Sequence, residues 1–514
     1  MKFLLSTCAT AMSNPHAKVT DSRRLTTALV FLAMAETIAR VLDRPLAQRP
    51  EAEAVVGRSG RLTYRALDAA ADRAAGAFAS LGLATGDHVA VSLPNDLDVV
   101  VAFHGAMRLG LVWIGLNTAL TAPEKAHIVA DSNARFVLDD TVDWTGAMKA
   151  AAPIPAVDVD PHAPAGIAYT SGTTGLPRGV VHSQYNLLLP GEVLVKTRGY
   201  DETLRKGDCL PLTILNLMVL TTLLTAQAGG CCVVMDRRDA DGVLDWIRDE
   251  HVTVWNGVPT QLFDLAREHA DRRADMATLT EVWSGGGDCS DSLRTEFEEA
   301  FGLPVRATYG LTEAPTVVAI DPPGNRWRSG ASGLVLPHLE VRVVDDNGAE
   351  LPHGELGEIT VRTAETGRWA GAWTPMLGEW SGGQLHPGTE LVLHTGDVGT
   401  VNDWWVSIRD RRKLVVVRGG ANIYPAEVER VLLSVPGVAA VAVFGVPSER
   451  LGEQLAAAVQ PAPGVNIAVE DLEAVCREQL SRYKVPERWV IVDALPVNAM
   501  GKVVRAELPA LLTD

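Results

Sequence analysis

Residues 169–183 read YTSGTTGLPRGVVHS, and the first eleven of them hold three glycines, one proline and four aliphatic hydroxyls. Backbone N–H groups of such a loop converge readily on an anion, and the hydroxyls of Thr170, Ser171, Thr173 and Thr174 add donors for phosphate oxygens. Gly172 and Gly175 allow the backbone to approach a ligand closely, and Arg178 adds a fixed charge that can grip phosphate bidentately. No Gly-Lys-Ser/Thr follows Gly175, so this is not the loop of the common NTPases. GRSGRL and SGGGDCS lack the Gly-x-Gly-x-x-Gly dinucleotide spacing. Four more places carry chemistry-bearing side chains: TYGLTEA (308–314), HTGDVG with Asp397, RDRRK (409–413), and PVNAMGKVVRAEL with Lys502. Glu313 offers a hard cation a carboxylate oxygen, and Asp397 is an acceptor suited to a diol that donates twice. Taken singly, each also reads plainly, as a core tyrosine, a turn carboxylate, a solvated charge run or a surface lysine.

The elements that must position these residues alternate. In LTYRALDAAADRAAGAFASLGLATGDHVAVSLPN, the spacing of Ala71, Ala74, Ala75, Phe78 and Leu81 predicts a helix with one apolar stripe. Gly82 and Gly86-Asp87 end it, and HVAVSLP reads as a buried strand. ARFVLDD, GIAYT, CCVVMD, VTVWNGVP and EVWSGGG are further short strands between helices, the rhythm of an α/β protein with largely parallel sheets. GIAYT runs into the glycine-rich loop, which puts that loop at a strand end, a favoured ligand position in α/β sheets. Beyond about residue 340, an Asn-Gly turn between alternating runs signals a hairpin in a more antiparallel subdomain. After RDRRK come a strand, a Gly-Gly turn and a helix opened by Pro425 with Val428, Val431 and Leu432 on its apolar face. VAAVAVFGVP, LAAAVQP and RWVIVDAL complete a C-terminal unit of roughly 100 residues.

The totals bound the function. A chain of 514 residues implies two to four domains, and 47% hydrophobic with 21% charged residues describes a soluble globular protein. The balance of 46 basic against 63 acidic residues argues against nucleic acid or an anionic membrane as the main partner, while leaving room for a locally positive pocket. Six cysteines show neither metal spacing nor a disulfide framework, as expected of free thiols in a reducing cytoplasm. MKFLLSTCATAM and LTTALVFLAMA fall short of the ~20 apolar residues of a membrane span, and the first is too short for a well-formed signal peptide. Residues 1–33 are expected to be a disordered leader, or the true start to be Met34.

YTSGTTGLPRG resembles the signature loop of the adenylate-forming superfamily: acyl-CoA synthetases, acyl-AMP ligases, adenylation domains and luciferases. WSGGGD, TYGLTEA, HTGDVG, RDRRK, GGANIYPAEVE and PVNAMGKVVRAEL follow in that family's order, and the resemblance runs from about Met34 onward. It implies a large N-terminal domain (34–409) of stacked α/β subdomains plus a smaller β subdomain. A hinge (410–413) then leads to a small, mobile α+β lid (414–514). By the same resemblance residues 170–175 and Arg178 hold the β- and γ-phosphates of ATP. Gly285, Gly286 and Gly287 flank adenine and the acyl group, Tyr309 after its Gly310 turn packs on adenine, Thr312 touches the α-phosphate and Glu313 serves Mg²⁺. Asp397 binds the ribose hydroxyls, Arg411 contacts the nucleotide and Lys413 is the pivot. Lys502 steadies charge on the reacting carboxylate and α-phosphate, and Gly419 and Gly420 line the path of the coenzyme A thiol.

The implied reaction has two halves: a carboxylate attacks ATP to give acyl-AMP and pyrophosphate, and a thiol then displaces AMP. Arg178 stands where lysine is commoner, Gln184 and Ile214 where histidine is frequent, and Leu414 where an acidic residue is usual. PLTILNLMVL lacks the aspartate that amino-acid-activating relatives use, so Ile214, Leu215, Leu217 and Met218 either wall a pocket for a fatty, alicyclic or aryl acid or form a buried helix. Three functions fit: a carboxylic acid–CoA ligase, an acyl-AMP ligase loading the phosphopantetheine of a carrier protein, and a nucleotide- or acyl-binding protein without turnover.

Overall fold

The computed structural model describes residues 37–170, 177–287, 289–324, 327–388, 390–411, 414–418, 421–448, 450–498 and 501–512. The expected leader, loop residues Ser171, Gly172, Thr173, Thr174 and Gly175, the pivot Lys413, and Gly419 and Gly420 all lie outside that set.

A seven-stranded sheet is built around four parallel strands, Pro164–Thr170, Val112–Gly115, His88–Val91 and Phe136–Leu138. Val89, Ala90 and Val91 are all fully buried, because helices cover both faces of such a sheet. Strand Arg178–Ser183 joins the sheet antiparallel to Pro164–Thr170, followed by the hairpin Gly378–Ser381 and Gln384–Pro387. That hairpin turns on Gly382-Gly383, both with positive φ.

The second sheet has thirteen strands. Its centre is parallel: Val305–Tyr309, Glu281–Ser284, Val254–Gly257, Arg205–Asp208, Cys231–Val234 and Glu53–Gly57. Beyond Val305–Tyr309 the pairing turns antiparallel, through Ala319–Ile320 and Gly333–Val335 to Trp405–Arg411, Leu393–Asn402, Gly357–Thr363 and Leu339–Val344. The antiparallel region is thus the continuation of the large parallel sheet and not a sheet of its own. Its hairpin is Leu339–Val344 with Gly357–Thr363, and the Asn-Gly turn is closed by Asp345 Oδ1 accepting from the N–H groups of Asn347 and Ala349.

The helix read from the alanine spacing spans Tyr64–Ser80, with Thr63 accepting from the N–H of Ala66 at its start. Ala71, Ala74, Ala75 and Phe78 are fully buried. Leu81 is a correction: it ends the helix and is 41% exposed, because the chain leaves the core there for the Gly82 turn. From Val416 a separate five-stranded sheet begins, with its own apolar cluster and the helix Pro425–Leu433 packed by Val428 and Leu432. No helix among the described residues is long and apolar enough to cross a membrane.

Candidate active site

Thr170 and Arg178 are paired across the antiparallel strands Pro164–Thr170 and Arg178–Ser183, so the glycine-rich loop is the connection of a hairpin. It opens at the carboxyl end of a strand whose other neighbour is parallel, the usual ligand edge of an α/β sheet. Arg178 pairs with Glu379 Oε2 at 2.8 Å, on the adjoining strand Gly378–Ser381.

Four residues further along the strand, His182 is fully buried and its Nε2 lies 2.7 Å from the carbonyl oxygen of Thr312. A carbonyl only accepts, so Nε2 carries the proton. Burial lowers the His182 pKa to about 4, keeping the ring neutral. This latch between the phosphate hairpin and the TYGLTEA turn was missed in the sequence reading. Its one local signal is a histidine following two buried valines directly after the loop.

The TYGLTEA turn is tightly built. A Cβ at Gly310 would collide with the Thr316 carbonyl oxygen, so only glycine lets the two segments approach. Thr316 has φ of 76°, a left-handed conformation that a β-branched residue adopts only under constraint. Within this turn Thr312 and Glu313 are half-buried, and the Glu313 carboxylate has no hydrogen-bond or ion-pair partner among the described residues. In the neighbouring glycine turn a Cβ at Gly285 would strike Thr308 Oγ1, and Gly286 has φ of 78°. A Cβ at Gly287 would make only ordinary contact with the Pro259 ring.

Asp397 and Tyr309 meet at the end of the sheet. Tyr309, 9% exposed, donates its hydroxyl to Asp397 Oδ2 at 2.7 Å, and Arg411 Nε stands 3.3 Å from Asp397 Oδ1. Burial raises the Asp397 pKa, while Tyr309, Arg411 and Lys502 each pull it back down. Burial also holds the Tyr309 phenol well above its ordinary range, and the Asp397 charge adds to that. Lys502, carried by the C-terminal unit, is within electrostatic reach of both Asp397 and Arg411. Burial lowers the Lys502 pKa, Arg411 does the same and Asp397 opposes them. Asp410, on strand Trp405–Arg411, ties that strand to the C-terminal unit: its Oδ2 accepts from the N–H of Ala426, in the first turn of helix Pro425–Leu433.

Of the apolar run, Leu215, Leu217 and Met218 are buried on the short helix Leu215–Met218 and belong to the main core cluster. Ile214 is half-buried just before that helix. The Leu215 methyls lie against Gly166 of strand Pro164–Thr170, so this segment begins beside the strand that feeds the glycine-rich loop. Gln184 is fully buried and its Oε1 accepts from the N–H of Ile38, which gives that departure a packing role.

The AMP-binding enzyme family model matches residues 42–368, and the AMP-binding enzyme C-terminal domain model matches residues 427–502. The chain is 31% identical to the long-chain-fatty-acid–CoA ligase FadD13 of Mycobacterium tuberculosis, over 87% of this chain and 92% of that protein. It is 32% identical to the fatty acid–[acyl-carrier-protein] ligase ScoC of Streptomyces coeruleorubidus, over 92% and 96%. The crystal structure of ATP-bound MatB from Rhodopseudomonas palustris superposes with a TM-score of 0.83 at 27% identity, covering 93% of this chain and 99% of that one. The apo crystal structure of the same protein reaches 0.73 over nearly the same residues. With both its large and its small unit matched, this chain belongs to the AMP-binding enzyme family.

Proposed function

We propose that the protein is an acid–thiol ligase that joins a carboxylic acid to ATP, releases pyrophosphate, and passes the acyl group from acyl-AMP to the thiol of coenzyme A. The observation that carries this reading is the approach of Lys502, from the small unit, to the buried Asp397–Tyr309 pair and Arg411 of the large one. That sets a lysine of one lobe against a buried polar cluster of the other.

In this reading Asp397 accepts from the ribose hydroxyls, Tyr309 packs on adenine beside Gly285, Gly286 and Gly287, and residues 170–175 with Arg178 hold the terminal phosphates. Thr312 and Lys502 face the α-phosphorus and the incoming carboxylate, where charge develops during in-line attack. Among the described residues there is no group of three or more His, Cys, Asp or Glu side chains that would enclose a metal. The single partner-free carboxylate of Glu313 instead fits a Mg²⁺ bound mainly through triphosphate oxygens and water. Mg²⁺ there would neutralise phosphate charge. Rotation about residues 410–413 would then withdraw Lys502 and admit the thiol beside Gly419 and Gly420.

The ScoC relationship supports a second reading, in which the thiol is the phosphopantetheine of a carrier protein. Both readings place the enzyme in the cytoplasm, where its described cysteines, all free, stay reduced. Pyrophosphate release that requires both ATP and a carboxylic acid tests the ligase reading; release independent of any acid contradicts it. Acyl transfer to coenzyme A but not to a holo carrier protein is the expected outcome, and the reverse selects the second reading.

A further inference from the structure

Strand Arg205–Asp208 carries two ionisable side chains that the reaction above does not use, Lys206 and Asp208, both 0% exposed. The parallel register pairs Asp208 with Asn256 and Asn256 with Trp283, while Lys206 and Glu281 both pair with Val254. All of these side chains therefore share one face of the large sheet. That face meets the apolar segment: Asp208 Oδ2 accepts from Thr221 Oγ1 at 3.2 Å, in the turn directly following helix Leu215–Met218. Asn256 Nδ2 reaches the same oxygen at 3.5 Å, and the N–H of Leu210 binds Oδ1 at 2.9 Å.

Lys206 Nζ stands 4.0 Å from Asp208 Oδ2 and 5.1 Å from the Trp283 ring centre, and it has no hydrogen-bond acceptor among the described residues. Thr213 Oγ1 and Asn216 Oδ1, either side of Ile214 and Leu215, are likewise buried without a partner. Glu281 extends the layer by binding Arg198, Tyr200 and Trp283 Nε1. Burial pushes Lys206 down and Asp208 up, and the pair is polar in every protonation state.

We propose that this Lys206–Asp208 layer is the floor of the acyl site and sets its substrate class: a short-chain or aryl carboxylic acid bearing a hydroxyl, not a long unbranched fatty acid. The inference rests on the ligase reading. In that reading the carboxylate is activated beside Thr312, which His182 holds, and the strand partner of His182, Gly166, lies against Leu215, so the rest of the acid runs along the wall at Ile214 and Leu215. Behind that wall stand Thr221 and Asp208. A long alkyl tail pressed there would part Asp208 from Thr221 and Asn256 and leave buried polar groups unpaired, which outweighs the gain from burying more methylenes. A hydroxyl does the opposite, since it can accept from Lys206 or donate to Asn216.

The test is carboxylate-dependent pyrophosphate release by the full-length protein with 3-hydroxybutanoate, 4-hydroxybenzoate, octanoate, dodecanoate and hexadecanoate. The best hydroxylated acid is expected to exceed dodecanoate and hexadecanoate in kcat/KM by about tenfold or more. Highest kcat/KM with either long acid overturns the proposal. Lys206→Met combined with Asp208→Leu removes both charges while keeping volume, a change that buried pairs often tolerate. In that variant dodecanoate should gain about tenfold relative to 4-hydroxybenzoate, and an unchanged ratio in a folded double variant counts against the floor. Should no acid release pyrophosphate, the ligase reading is what fails. Calorimetric binding of the same acids to the parent protein then judges the floor separately, tighter dodecanoate than 4-hydroxybenzoate refuting it.

Discussion

At the scale of single residues, the site is organised around Asp397, a carboxylate 5% exposed that survives burial because a phenol and a guanidinium face its two oxygens. Tyr309→Phe removes the hydroxyl donor while keeping the ring, so the already raised pKa of Asp397 should climb further. ATP affinity measured by calorimetry is expected to weaken by about five- to tenfold, the worth of one hydrogen bond to a charged group. Unchanged affinity would mean that the Tyr309 hydroxyl does not support Asp397 in nucleotide binding. Asp397, Tyr309 and Lys502 could all be picked out of the sequence as candidates, because each sits in a short motif whose residue types suit its chemistry. Lys206 and Asp208 could not: nothing local in RKGDC distinguishes a fully buried pair from two surface charges, since their burial depends on Trp283, Thr221 and Asn256 arriving from elsewhere.

At the scale of elements, short apolar runs such as HVAVS and CCVV proved to be central strands because burial on both faces leaves no polar alternation to obscure them. The strand pair Gly378–Ser381 and Gln384–Pro387 escaped the sequence reading although Gly382-Gly383 marks its turn. Its partner, Arg178–Ser183, lies some two hundred residues earlier, and no local pattern encodes that register. The Thr308–Thr316 turn is tightly constrained, with Gly310 pressed on Thr316 and Thr316 in a left-handed conformation. Gly310→Ala must displace one segment or the other. Pyrophosphate release should fall by at least about tenfold as Thr312 and Glu313 shift, since catalytic groups tolerate little displacement. The melting temperature should fall as well. An active enzyme with parental kinetics would show that the turn does not position the reacting groups.

At the scale of the whole molecule, two large sheets and a third, smaller one that begins at Val416 make up the described fold, and the proposed first half-reaction depends on the small unit setting Lys502 against Asp397. Stability adds a pH dependence. His104, His182 and His338 are buried, and burial lowers their pKa values to about 3, about 4 and about 3. In the unfolded chain they titrate near pH 6.5. Between roughly pH 6.5 and pH 4 the unfolded state therefore binds more protons than the folded one, and stability must decrease as pH falls. The loss is on the order of 2 kcal/mol per histidine by pH 5. Melting temperatures should be flat above about pH 7 and drop steeply below pH 6.5; a melting curve indifferent to pH across that window would show that these rings are not held neutral.

The account turns on Lys502 being brought across from the small unit to act in the first half-reaction only. The direct measurement compares Lys502→Ala with the parent in two assays: pyrophosphate release from ATP and acid, and thioester formation from a chemically prepared acyl-adenylate and coenzyme A. The account predicts a loss of about 10²–10³ in the first assay, the usual effect of removing a group that meets developing charge, with the second within a few-fold of the parent. Equal losses in both assays, or none in the first, would contradict it.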